Sequence, residues 1–185
     1  MESMAALTNS TSLDLTALAV DVIAFGADNN VGTGESYKVA SGATVGIAAD
    51  QTRLDLTGAA TAGNTLSIVI DDDSTAVDTT SHAVTALNTT NFSEVTLTLN
   101  DTEAAVANTT ISVGAANTLK VAGAGALTVG TSVTAASVDG SDMTGVLDIT
   151  MTATTALSAT GGSAGDEFTL GLVADYVIDG GDGTD

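Results

Sequence analysis

The feature that most restricts the fold of this chain is a core that has to form almost without aromatic side chains. The 185 residues include three Phe, two Tyr and no Trp, while hydrophobic residues make up 44% of the chain. Globular cores normally rely on aromatic rings to fill irregular space. A core made mainly of Ala, Val, Leu and Ile is typical of thin, regular layers in which each turn of the chain stacks on the last. The composition therefore favours a repetitive fold.

Short β-type segments separated by turn residues run along most of the chain. Helix signals are weak, because Thr, Val, Ser, Gly and Asn are poor helix formers and occur throughout. Residues 13–24 are compatible with a helix, but their alternation and β-branched residues indicate strands equally well. Strands are predicted at residues 37–39, 44–47, 54–56, 66–70, 95–99, 110–113, 118–121, 126–129, 146–150, 168–170 and 176–178.

The spacing of these segments fits two all-β architectures. From residue 110 onward, strand starts recur roughly every 8 to 10 residues, which suits either an antiparallel β-sandwich or a parallel β-helix. The turns are built from Gly, Ala, Ser and Asn instead of the Asn-Gly or Asp-Gly pairs of tight hairpins. We therefore predict an all-β parallel β-helix or β-roll, with an antiparallel β-sandwich as the alternative.

The charge and the missing residue types exclude several functional classes. The chain carries 23 Asp and Glu against three Lys and Arg, for a net charge of −20. Binding to nucleic acid or to anionic lipid needs basic side chains that this chain lacks. The absence of Cys excludes disulfides and thiolate metal sites. The single histidine, His82, is not accompanied by a G-x-S-x-G nucleophile elbow, so the sequence does not indicate a Ser–His–Asp catalytic site. We predict a non-enzymatic protein that neither binds nucleic acid nor inserts into a membrane.

A glycine–aspartate pattern occupies the last part of the chain. Residues 161–169 fit the nonapeptide G-G-x-G-x-D-x-U-x, in which U is apolar, except that Ala164 replaces the third glycine. Residues 170–178 keep one glycine, the aspartate and the apolar residue, and residues 180–185 match every fixed position. Glycines permit tight turns whose carbonyls face a cation, and the carboxylate supplies the hard oxygen that Ca²⁺ prefers. A set of ordinary Gly-Asp turns is the alternative explanation.

The pattern resembles the calcium-binding repeat of the RTX, or hemolysin-type, family, which forms a parallel β-roll. Residues 138–147 are similar to a rung, V-D-x-S-x-x-T-G-x-L, of RTX-type bacterial surface-layer proteins and large secreted adhesins. The resemblance implies that the apolar residues Phe168 and Val177 point into the roll. It also implies that Ca²⁺ is held by the side chains of Asp166, Asp175 and Asp185 and by the turn carbonyls of Gly161, Gly180 and Gly183.

A second acidic run, Asp71-Asp72-Asp73, follows a predicted strand. Carboxylates packed side by side repel each other, so a cation would be expected to relieve them. A solvated turn is the alternative explanation for this run. These three aspartates are therefore weaker candidates for Ca²⁺ ligands.

The resemblance implies a structural cell-surface protein of S-layer type that folds and self-assembles on Ca²⁺ binding. Three alternatives stay open: a calcium-binding segment of a secreted RTX adhesin, a noncatalytic part of a secreted RTX hydrolase, and a halophile protein whose acidic surface serves hydration in high salt. The expected partners are other copies of the chain, in a lattice or oligomer, and cell-surface polysaccharide.

The expected location is extracellular, at the cell surface. The chain begins without a basic segment followed by an apolar one, so no secretory signal peptide is predicted. We expect export through a type I-like system whose signal lies outside this sequence. Residues 1–109 are predicted to be β-rich and β-helical, residues 110–160 to form β-helix rungs, and residues 161–185 to begin an RTX calcium-binding β-roll that is cut short.

Overall fold

The computed structural model is a β-solenoid built from two parallel sheets. It describes residues 13–18, 21–25, 36–47, 49–70, 83–100, 106–114, 117–152, 157–171 and 175–185. The predicted weaker site at residues 71–73 and the lone histidine at position 82 lie outside these ranges. The described residues contain strands and turns but no helix, and so no helix long and apolar enough to cross a bilayer.

Sixteen strands in the described residues alternate between the two sheets. Odd-numbered strands form one eight-stranded sheet and even-numbered strands form the other, and neighbours in each sheet run parallel. Their bounds are β1 (Leu13–Asp14), β2 (Ile23–Phe25), β3 (Tyr37–Lys38), β4 (Ala43–Ile47), β5 (Gln51–Thr57), β6 (Thr65–Ile70), β7 (Val84–Thr90), β8 (Glu94–Leu99), β9 (Val106–Ser112), β10 (Thr118–Gly123), β11 (Leu127–Thr134), β12 (Ser137–Met143), β13 (Leu147–Met151), β14 (Leu157–Thr160), β15 (Glu167–Leu170) and β16 (Tyr176–Asp179).

The predicted parallel β-helix is confirmed, and the antiparallel sandwich is wrong. Each predicted strand overlaps an observed one, and β1 and β2 show that strands lie within residues 13–24, where a helix was equally compatible with the sequence. The structure adds β7, β12 and β14. Strand β12 contains Asp139, Gly140 and Asp142, which indicate a turn in the sequence. It forms a strand because β10 and β14 supply backbone partners on both of its sides.

Inward-facing residues of both sheets form one aliphatic core. Strand β8 shows the alternation most clearly, since Val95, Leu97 and Leu99 are fully buried and the residues between them are partly exposed. Val95 pairs with Leu66 of the preceding rung and with Leu119 of the following one. Small aliphatic side chains thus stack in columns, as the composition predicts.

The turns that join the two sheets stack along two opposite edges of the solenoid. Turns that follow odd-numbered strands form what we call the asparagine edge, which includes residues 58–64 and 91–93. Turns that follow even-numbered strands form the glycine–aspartate edge, which includes residues 161–166 and 180–185. Residues one rung apart in sequence lie side by side at these edges, which is the property that positions the candidate site.

Candidate metal centre at the glycine–aspartate edge

The structure brings two of the three predicted aspartate ligands to one edge and places the third elsewhere. Asp166 and Asp185 lie on the glycine–aspartate edge, at the ends of two successive turns. Asp175 directly precedes β16, so it lies on the asparagine edge with an exposed side chain. The described residues hold no group of three or more His, Cys, Asp or Glu side chains placed to share a metal ion.

Asp166 is a buried carboxylate that connects two rungs. Asp166 is only 5% exposed. Oδ1 accepts a hydrogen bond from the backbone N–H of Leu147 at 2.8 Å, and Oδ2 accepts one from the N–H of Gly162 at 2.6 Å. Leu147 belongs to the preceding rung and Gly162 to the same turn. The carboxylate therefore satisfies two backbone donors that the turn would otherwise leave unpaired.

Asp185 repeats half of this arrangement one rung further on. Its Oδ1 accepts a hydrogen bond from the backbone N–H of Asp166 at 2.8 Å, across a sequence separation of 19. The pairing of Asp148 with Glu167 shows that Leu147 and Asp166 stand at equivalent positions of successive rungs. Leu147, Asp166 and Asp185 thus form a ladder in which each carboxylate binds the backbone of the rung before it.

Glycines begin both turns because the rungs approach too closely for a side chain. A Cβ on Gly161 would overlap the carbonyl oxygen of Gly180 and the carboxylate of Asp166. A Cβ on Gly180 would come within 2.9 Å of the Cβ of Asp185. Gly161 therefore makes room both for the next rung and for Asp166, and Gly180 makes room for Asp185.

The departure at Ala164 coincides with a change in backbone path between the two turns. Gly183 stands at the equivalent position and has a φ of 133°, a conformation that L-residues with side chains rarely adopt. Ala164 is not among the described residues with positive φ. The earlier turn accepts alanine because it keeps an ordinary backbone conformation there.

The register corrects one predicted orientation in the last rung. Phe168 pairs with the buried Ile149 and points inward, as predicted. Val177 instead pairs with the exposed Ser158 and is itself 71% exposed, so it points outward. Tyr176, the first residue of β16, pairs with the buried Leu157 of β14, so the next residue, Val177, lies on the outward face. A difference of one residue in strand register turns every side chain to the other face.

The atoms that could bind a metal at this edge are oxygens, which are the ligands that a hard divalent cation prefers. Ca²⁺ takes six to eight oxygen ligands from carboxylates, carbonyls and water. Each oxygen of the Asp166 carboxylate already accepts one N–H, and a carboxylate oxygen can accept further interactions. Asp166, Asp185 and the neighbouring glycine carbonyls offer only oxygen, whereas Asp175 lies too far around the rung to join them.

The opposite edge contains a buried amide that the sequence analysis missed. Asn64 is 5% exposed, and its Nδ2 donates to the carbonyls of Ala59 at 2.5 Å and Asn91 at 3.1 Å. Asn91 has a φ of 65°, and Phe92 packs beneath Gly58. No sequence signal connects Asn64 with Asn91, because 27 positions separate them in rungs of unequal length.

The glycine–aspartate edge combines stacked backbone turns with a ladder of carboxylates, and the asparagine edge uses a neutral amide in the corresponding role. Comparison of the chain with protein-family models, with curated proteins and with solved structures gives no match.

Proposed function

We propose that this chain is a structural, non-enzymatic segment of a cell-surface protein of S-layer type, and that Ca²⁺ orders its C-terminal turns. The observation that carries the proposal is the pair Asp166 and Asp185, which stand at equivalent positions of stacked rungs 19 residues apart. A repeated carboxylate on a repeated glycine turn is the arrangement expected of an array of oxygen-ligand cation sites.

The charge balance supports a requirement for cations from solution. Lys38 pairs with Asp14, Arg53 with Asp55 and Lys120 with Glu94, so all three basic side chains already have a carboxylate partner. The net charge of −20 has no further basic residue to balance it. Self-repulsion of this size opposes a compact state, and bound divalent cations would reduce it.

In this proposal the residues of the edge have distinct tasks. Asp166 and Asp185 would supply carboxylate oxygens, and Gly161, Gly180 and Gly183 would supply turn carbonyls. A bound ion would neutralise carboxylates that are held close to the chain. Ordered terminal rungs would then be available for contacts between copies of the chain outside the cell, after export by a type I-like system.

Thermal unfolding with and without Ca²⁺ tests the proposal. We expect about 5 mM Ca²⁺ to raise the melting temperature of the wild type above the value measured in EDTA. This concentration exceeds the dissociation constants of weak, extracellular-type calcium sites. The double variant Asp166→Asn, Asp185→Asn should lose the increase. The single variant Asp148→Asn, on a neighbouring strand, is the matched control and should keep it.

Three results would contradict the calcium proposal. These are no effect of Ca²⁺, an equal effect of Mg²⁺, and folding that needs molar NaCl but ignores Ca²⁺, the last of which would favour the halophile interpretation. Electron microscopy of the Ca²⁺-bound protein separates the remaining candidates. Ordered arrays support the S-layer function, and dispersed monomers that bind cells support the adhesin.

A further inference from the structure

A polar groove lies on the outer face of the odd-numbered sheet. Outward-facing residues of β5, β7 and β9 line it, among them Arg53, Asp55, Asn88 and Ser112. The groove is open to solvent and has a volume of about 460 Å³, which is similar in size to small-molecule sites of about 300–1,000 Å³. Its strands lie at least three positions along the odd-numbered sheet from β15, the strand that follows Asp166.

Three side chains of the groove hold each other in fixed positions. Nε of Arg53 donates to Oδ2 of Asp55 at 2.9 Å, and Nη2 of Arg53 forms an ion pair with the same oxygen at 2.9 Å. Nδ2 of Asn88 donates to Oδ1 of Asp55 at 2.7 Å. The Asp55 side chain is only 15% exposed and that of Arg53 33%. The three side chains come from two paired strands, so a ligand would meet donors and acceptors that are already oriented.

The chemistry of the groove points to an uncharged ligand rich in hydroxyl groups. Arg53 has five N–H donors, of which the one on Nε is bound to Asp55, and the Asn88 amide keeps its own acceptor oxygen. Arg53 and Asp55 cancel each other's charge, so the groove is neutral on a chain of net charge −20. Polyanions are repelled by such a surface, and a polycation would find many stronger sites elsewhere.

The groove continues into hydroxyl-bearing positions along the solenoid axis. One outward column of paired residues runs from Asp55 through Asn88 and Ser112 to Thr134. The adjacent column ends in Thr110 and Ser132. Successive rungs are spaced by about 4.8 Å, so the columns offer polar groups at short, regular intervals along one direction.

We propose that this groove and the two columns bind a neutral polysaccharide chain that lies along the solenoid axis. The proposal deepens the function proposed above, on which the choice of a cell-surface polysaccharide as partner rests, by naming the surface that holds it. Sugar hydroxyls both donate and accept hydrogen bonds, so they match the Asn88 amide and the Ser and Thr hydroxyls. Binding at this face does not require the glycine–aspartate edge to hold an ion.

Native gel electrophoresis in gels that contain a soluble polysaccharide tests this proposal. Separate gels contain dextran, galactomannan or mixed-linkage β-glucan as neutral probes, and polygalacturonate or alginate as acidic probes. Ser112→Lys places a long, charged side chain in the groove beside Asn88, and Asn88→Ala removes the hydrogen bond between Asn88 and Asp55. Ser67→Lys places the same charge on the outer face of the other sheet and is the matched control; circular dichroism checks that each variant folds.

We expect at least one neutral polysaccharide to retard the wild type and the Ser67→Lys variant, and retardation to be lost in Ser112→Lys and reduced in Asn88→Ala. The proposal is overturned if no neutral polysaccharide retards the wild type, if only acidic ones do, or if Ser112→Lys migrates like Ser67→Lys. Repeating the gels in EDTA separates this result from the calcium proposal. Retardation that persists where Ca²⁺ has no effect on melting would support the groove and reject the calcium proposal, and the reverse pattern would do the opposite.

Discussion

The two edges of this solenoid satisfy the backbone of their turns with opposite chemistry. On the asparagine edge, the buried Asn64 donates through its amide nitrogen to two carbonyl oxygens. On the glycine–aspartate edge, the buried Asp166 accepts from two backbone N–H groups. Both side chains belong to residues that are 5% exposed, so burial does not distinguish them.

The difference shows why only one edge is a candidate for metal binding. A neutral amide completes its turn without bringing any charge into the protein. A carboxylate completes its turn equally well but leaves a negative charge close to the next rung, where Asp185 adds a second one. A buried charge is costly unless it is paired or bound to a metal. The predictions below test whether the edges differ in this way.

The largest effect is expected from removing the aromatic ring at the asparagine edge. Phe92 is 1% exposed and packs against Gly58. We expect Phe92→Ala to lower the free energy of unfolding by about 3–5 kcal/mol, because it leaves a cavity in the core. Urea unfolding should give the same loss in Ca²⁺ and in EDTA. A loss that Ca²⁺ repairs would show that the two edges are coupled.

A smaller loss is expected when the buried carboxylate is removed. Asp166→Ala leaves the N–H groups of Leu147 and Gly162 without their acceptor. We expect a destabilisation of about 2–4 kcal/mol in EDTA, since each unpaired buried donor costs roughly 1–3 kcal/mol. The loss should be greater in Ca²⁺, which would stabilise only the wild type. Asp148→Ala serves as the control in the same urea titrations, and an equal effect there would remove the special role of Asp166.

Replacing the Asn64 amide by a carboxylate would give the asparagine edge a buried negative charge, as on the glycine–aspartate edge, but without the backbone N–H donors that bind Asp166. In Asn64→Asp the new carboxylate would face the carbonyl oxygens of Ala59 and Asn91, which cannot donate to it. We expect a loss of about 1–3 kcal/mol. Ca²⁺ should not restore it, because the stacked glycine turns are missing at this edge. Recovery in Ca²⁺ would mean that any buried carboxylate of this fold recruits the ion.

The smallest effect concerns an exposed carboxylate with similar hydrogen bonds. Hydrogen bonds to the Asp14 carboxylate lower its pKa from 3.8 to about 2. The largest contribution comes from the Thr16 hydroxyl, followed by the Thr16 backbone N–H and then by Lys38. Because the folded pKa lies below the unfolded one, the associated stabilisation is present above about pH 4. It is lost as the pH falls through about 2. An NMR titration should place the midpoint near 2 and closer to 3.8 in Thr16→Ala; an unchanged midpoint would contradict this account.

Part of the fold could be predicted because stacking leaves a local signature. The buried columns of β6, β8 and β10 consist of Val, Leu and Ile at alternate positions, which the sequence displays directly. Strand β12 lacks this alternation, because it contains Gly140 and two aspartates, and only the resemblance of residues 138–147 to a known rung indicated β-structure there. Strands β10 and β14 supply its hydrogen-bond partners. The nonapeptide predicted Asp166 and Asp185 as a related pair, but it could not show that Asp175 belongs to the other edge.

The sequence by itself determined the all-β class and the kind of chemistry available. A core of small aliphatic residues requires regular layers, and 23 acidic side chains against three basic ones allow oxygen-ligand cation sites but not phosphate binding. Only the tertiary structure decided which residues meet. The separation in sequence between paired residues of neighbouring rungs varies from 18 at Val133 and Met151 to 33 at Asp55 and Asn88. These separations depend on the length of each turn and on which residues are buried in the neighbouring strand, so local sequence patterns do not contain them.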